Sequence, residues 1–155
     1  MKKYMVLCAM SALALSACGS GSSSKGAEKA ATLQERWGVP GVTTIEEALA
    51  HRPDVVAAAV PWPDMPRVIE ELVDAGAHVL AETPPAPDAD GLRALWSRVG
   101  ASGRVQVAEQ YRLMPGHAAR LAVVRDGVIG DPTSVQVSST HWYHATSMIR
   151  FLLDV

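Results

Sequence analysis

His141 and His144, in the segment His141-Trp142-Tyr143-His144, are the side chains best suited to moving a proton, because imidazole titrates close to physiological pH. A zinc reading of this pair fails for want of ligands. A tetrahedral site needs three or four, and the two cysteines, Cys8 and Cys18, stand near the N-terminus, so no metal site is expected. The lysines are Lys2, Lys3, Lys25 and Lys29; beyond them every fixed positive charge is an arginine, which does not exchange protons at accessible pH. Acid–base work in the body of the chain therefore falls to histidine. Glu82 closes a short apolar run at 77–81, where an open α/β sheet would bind ligands, just outside the carboxyl ends of its strands. The alternative for Glu82 is a local cap or ion pair. Arg112 can hold a carboxylate or phosphate in a fork, or be an ordinary surface arginine. His78, inside an apolar run, reads as a core histidine, and His51 and His117 fall on helices without assignable chemistry. Trp37 and Trp96 read as packing residues on apolar helical faces.

Positioning those residues requires one ordinary domain. The chain has 155 residues, 48% of them hydrophobic and 19% charged, with a formal charge of −2 and no basic stripe, which argues against a nucleic-acid partner. An amphipathic helix is predicted over 27–37, ended by Gly38-Val39-Pro40-Gly41. Thr44 and Glu47 form a capping box for a short helix over 45–51. The continuous apolar run 54–60, between Pro53 and Pro61, reads as a parallel strand covered on both faces. A helix over 66–75, a strand over 77–81, a helix from Asp88 or Asp90 to Val99 and a strand over 105–108 follow. Alternating strands and helices imply a doubly wound parallel sheet. Beyond it lie a helix over 116–125, a β-branched strand over 133–140 and a helix over 145–153.

The N-terminus reads differently. Lys2 and Lys3 precede a run from Tyr4 to Ala17 that carries no charge, the order of a secretory signal peptide and too short to span a bilayer. It ends in Leu15-Ser16-Ala17-Cys18, which resembles the lipobox of bacterial lipoproteins, and a Gly/Ser tether follows. The resemblance implies cleavage before Cys18, lipid attachment there, and a membrane-anchored lipoprotein on the periplasmic or outer face; without a genuine leader the chain would be cytoplasmic. A rival reading makes 5–10 a strand and Gly19-x-Gly21 a dinucleotide-binding turn, but Ser24 stands where the third glycine belongs.

Pro53-Asp54-Val55-Val56 with Val60-Pro61, then residues 75–84 ending in Glu82-Thr83-Pro84, then Ala108-Glu109-Gln110-Tyr111-Arg112 resemble the Gfo/Idh/MocA family of NAD(P)-dependent oxidoreductases over residues 26–155. The resemblance implies an α/β chain: a partial Rossmann-like domain over 27–110, after a signal peptide (1–17) and a lipidated linker (18–26), then the start of an α+β substrate domain over 111–155. It implies NAD or NADP as cofactor and a sugar- or polyol-like substrate. Pro61, Trp62, Glu82, Thr83, Pro84, Glu109 and Gln110 would contact the cofactor; Arg112, His141 and His144 the substrate, the two histidines catalytically. The family's Glu-Lys-Pro reads Glu82-Thr83-Pro84 here, and its Asp and His four apart with a further Asp read Thr140, His144 and Ser147. Its first strand, glycine-rich turn and second strand are not recognisable. As written the chain would be incomplete, weakly active or inactive, with the strand at 54–60 left an unpaired edge. The alternatives are a lipid-anchored non-catalytic binding or scaffold module, or a chimeric gene fragment.

Overall fold

The computed structural model describes residues 4–8, 22–38, 40–138, 140 and 142–154. Its elements are β1 (Tyr4–Cys8), α1 (Ser22–Trp37), α2 (Ile45–Ala50), β2 (Val55–Ala59), α3 (Met65–Asp74), β3 (Val79–Ala81), α4 (Ala89–Val99), β4 (Val105–Val107), α5 (Pro115–Arg125) and α6 (Trp142–Leu153). They divide into two units, Met1–Ala108 and Glu109–Val155.

In the first unit the strands form one parallel sheet in the order β1-β2-β3-β4. Each step moves to the next position in the same direction, so right-handed crossovers put all the connecting helices on one face. Burial follows that rule. Val56, Ala58, Val79 and Ala81 are buried with Ile45 and Ala48 of α2, the apolar stripe of α3 and Leu95 and Val99 of α4. The alternate residues Val55, Ala57, Ala59, Leu80 and Gln106 are not buried. The connecting helices of the described strands thus lie on one side, and β2, expected to be covered on both faces, is buried on one and half-covered on the other.

The helices form where their periodicity and caps require. In α3, Met65, Val68, Ile69 and Leu72 recur at three and four residues and are essentially sealed from solvent, each burial stabilising by about 1.5–3 kcal/mol. Gly76, at φ 83°, ends the helix: Ala77 N–H donates to the Leu72 carbonyl and Gly76 N–H to that of Val73. At α2 the Thr44–Glu47 capping box is present in full, and Asp88 caps α4 by accepting the Gly91 N–H at 2.7 Å.

Three expectations are corrected here. The edge of β2 is not bare, since Tyr4↔Val55 through Cys8↔Ala59 pair in parallel; an apolar, uncharged run satisfies an open strand edge as readily as it satisfies a targeting pattern. Trp37 and Trp96 are not core residues, being 66% and 72% exposed; Trp37 lies under the Arg36 guanidinium, and the Trp96 ring lies over Gly100. His78 is exposed just before β3 rather than in the core.

In the second unit, α5 and α6 carry Leu121 and Met148 as buried residues. Residues 133–138 form no strand: β-branched residues need a neighbouring strand to pair with, and among the described residues this unit has none. Helix α6 starts at Trp142, earlier than the expected 145, so His144 stands in its first turn rather than in a loop.

Candidate functional site

Because β2, β3 and β4 run parallel, the segments that follow them leave the sheet at one edge. The ladder holds to its last residues: Glu82 N–H donates to the Ala58 carbonyl and Ala108 N–H to that of Ala81, both at 2.8 Å. Pro61 and Trp62 follow β2, and Glu82, Thr83 and Pro84 follow β3, with the Thr83–Pro84 peptide cis. These five predicted residues therefore share the carboxyl edge of the first unit's sheet, where α/β sheets bind ligands. Trp62 is 48% exposed and offers a flat apolar surface. The Glu82 carboxylate is turned onto its neighbour, Oε1 accepting the Thr83 N–H at 2.8 Å and the Thr83 hydroxyl at 3.1 Å.

Glu109, Gln110, Arg112 and His144 belong to the second unit. Glu109 Oε2 lies 2.7 Å from His144 Nδ1, and Glu109 Oε1 accepts the Tyr111 N–H at 3.1 Å. The Tyr111 ring stacks on the His144 ring with centroids 4.4 Å apart and planes 28° apart, and Tyr143 stands tilted at 4.4 Å. His144 is 8% exposed, the one polar or charged residue of the described chain in the buried class. Tyr111 also faces His117, whose Nδ1 is 3.1 Å from Arg120 Nη1, so His117 has neighbours that its place on a helix did not foretell. The Arg112 guanidinium lies 5.0 Å from the Phe151 ring, a cation–π contact, and Gln110 is exposed. His141 and Cys18 lie outside the described residues, as do Gly19 and Gly21.

Sequence reasoning missed the Tyr111–His144 stack and the Glu109–His144 bond. Glu109 and His144 are 35 positions apart, and no spacing rule joins them.

An NAD-type cofactor fits the first unit at its nucleoside end. Trp62 gives a ring-stacking surface, and the exposed Glu82 and half-buried Thr83 give a carboxylate and a hydroxyl suited to ribose hydroxyls. Asp64 caps the helix that starts beside β2 without a side-chain hydrogen bond, and its acidic side chain makes that helix start a poor diphosphate seat.

Comparison with known proteins gives the same answer. The profile of an oxidoreductase family with an NAD-binding Rossmann fold, GFO_IDH_MocA, matches residues 19–110. Among solved structures, a provisionally assigned myo-inositol dehydrogenase from Sinorhizobium meliloti 1021 is 25% identical, covering 80% of this chain and 44% of its own, with a TM-score of 0.64. A myo-inositol dehydrogenase from Corynebacterium glutamicum is 24% identical, covering 78% and 43%, with a TM-score of 0.62. A scyllo-inositol dehydrogenase from Lactobacillus casei, solved with NAD(H) and scyllo-inositol, is 22% identical, covering 63% and 30%, with a TM-score of 0.56. The chain spans less than half the length of each. No curated protein matches it. With the family profile covering more than half of its residues, the chain belongs to the Gfo/Idh/MocA family of oxidoreductases with an NAD-binding Rossmann fold.

Proposed function

We propose that the chain takes part in NAD(P)-dependent oxidation of a polyol hydroxyl or reduction of the matching ketone, with the inositols of its structural relatives as the substrate class. The observation that carries this reading is the gathering of Pro61, Trp62, Glu82, Thr83 and Pro84 at the carboxyl edge of the sheet. Those residues would hold the nucleoside end of the cofactor, which when bound accepts the hydride from the carbinol carbon. His144 takes the hydroxyl proton at Nε2 and passes it to solvent, so the substrate loses one hydride and one proton. Thr83, where the family has lysine, supplies a hydroxyl and no titrating group, leaving the proton to His144. His141 and Arg112 are assigned to holding the polyol.

Titrating the intact chain with NADH and NADPH and following nicotinamide fluorescence tests cofactor binding; saturable change is expected with one of them. With myo- and scyllo-inositol, NADH formation should fall by about 10²–10⁴-fold in His144→Ala while cofactor affinity holds. A flat titration, or undiminished turnover in His144→Ala, overturns the reading.

A second reading concerns location. The lipobox-like Leu15-Ser16-Ala17-Cys18 and the Gly/Ser stretch after it support lipid anchorage at Cys18, and with it a place on the outer face of a membrane. Against it, Tyr4–Cys8 is a strand of the sheet, which cleavage before Cys18 would remove. If the anchor is genuine, Cys18→Ala stays uncleaved and leaves the membrane fraction; equal fractionation of both forms excludes it.

A further inference from the structure

The His144 ring is held by two residues remote from it in sequence. Tyr111 covers one face, and Glu109 meets Nδ1 at 2.7 Å. The two supports are themselves tied, because the second oxygen of Glu109 accepts the backbone N–H of Tyr111. Solvent competes little for the pair, since the side chains of His144 and Glu109 are 11% and 19% exposed. Thr140, four residues before His144, lends no support: its hydroxyl is buried and bonded to no described residue.

We propose that Glu109 is the positioning residue of His144: by accepting the Nδ1 proton it fixes the ring tautomer and leaves Nε2 as the nitrogen that exchanges a proton with substrate. A carboxylate accepts hydrogen bonds and has no proton to give, so Nδ1 must carry the hydrogen. In the neutral ring the lone pair is then on Nε2, which no hydrogen bond from a described residue reaches. The proposal rests on the reading of His144 as the proton acceptor, but the tautomer can be observed without any turnover.

Glu109→Gln separates positioning from folding. The amide has one accepting oxygen, and the Tyr111 N–H needs it, so the amide NH₂ faces Nδ1 and turns that nitrogen into an acceptor. The ring proton moves to Nε2. In the full-length ¹⁵N-labelled protein, long-range proton–nitrogen spectra of the neutral ring should show Nδ1 protonated in the parent and Nε2 protonated in Glu109→Gln, with the Tyr111 amide resonance little changed. Where the same carboxylate-to-amide change spoils the tautomer of a catalytic histidine, kcat falls about 10⁴-fold with geometry intact, and a loss of that order is expected here. Glu109→Asp should keep the parent tautomer and recover part of the rate. A parent ring protonated at Nε2, or the same ring pattern in parent and Glu109→Gln, overturns the proposal. A tautomer that switches while His144→Ala keeps full turnover leaves Glu109 as the positioning group and removes the proton-transfer role of His144.

Discussion

Glu47 Oε2 accepts three hydrogen bonds: the Thr43 N–H at 2.7 Å, the Thr43 hydroxyl at 3.1 Å and the Thr44 N–H at 3.3 Å. The bond from the Thr43 backbone, then that from its hydroxyl, holds the carboxyl below its usual range, against an opposing push from desolvation. A carboxylate with a lowered folded value stabilises fully above its unfolded value and loses that contribution as pH falls through the folded one. The protection factors of the Thr43 and Thr44 amides, measured against the intrinsic exchange rate at each pH, should therefore fall on acidification in the parent, and Glu47→Gln should lack this acid limb. Thr44→Ala, which removes the cap of α2, should lower stability by about 1 kcal/mol in chemical denaturation. At this scale the capping box was legible because its residues are three apart. His144 was legible from its chemistry, but its partner Glu109 was not, because tertiary structure alone brings them together. The exposure of Trp37 and Trp96 was hidden too, since apolar spacing says which residues share a face and not whether anything covers it.

Helix α3 carries the covered face of the sheet, and its last turn and its C-terminal stop test different physics. Leu72→Ala empties a sealed position and should cost about 2–5 kcal/mol by urea titration. Gly76→Ala meets no atom within 4 Å, yet it puts a Cβ at φ 83°, so a smaller loss of about 1–2 kcal/mol is expected, all of it conformational. Equal effects of the two changes would contradict this division. The elements from α2 to β4 stand within a residue or two of where their periodicity, prolines and caps predict them. The strand expected at 133–140 does not form because β propensity is realised only against a partner strand. Coverage of β2 on two faces was misjudged for a related reason: a run of valine and alanine suits a half-covered strand as well as a buried one.

For the whole molecule, the decisive feature is β1. Val56 and Ala58 exchange backbone hydrogen bonds with the β3 side, so the alternate residues Ala57 and Ala59 turn theirs toward β1. In a chain beginning at Cys18, the amides of Ala57 and Ala59 should exchange with solvent markedly faster than in the full chain, while those of Val56 and Ala58 keep their protection. Uniform protection in both forms would mean that β1 contributes nothing to the sheet. The five residues Tyr4–Cys8 also cannot be a folded strand and an extended thread in a translocation pore at once. On the proposed reading of the leader as genuine, the closing sheet and the secretion machinery would compete for this segment, and the address of the domain would become a contest of rates, open to shifting by anything that slows folding.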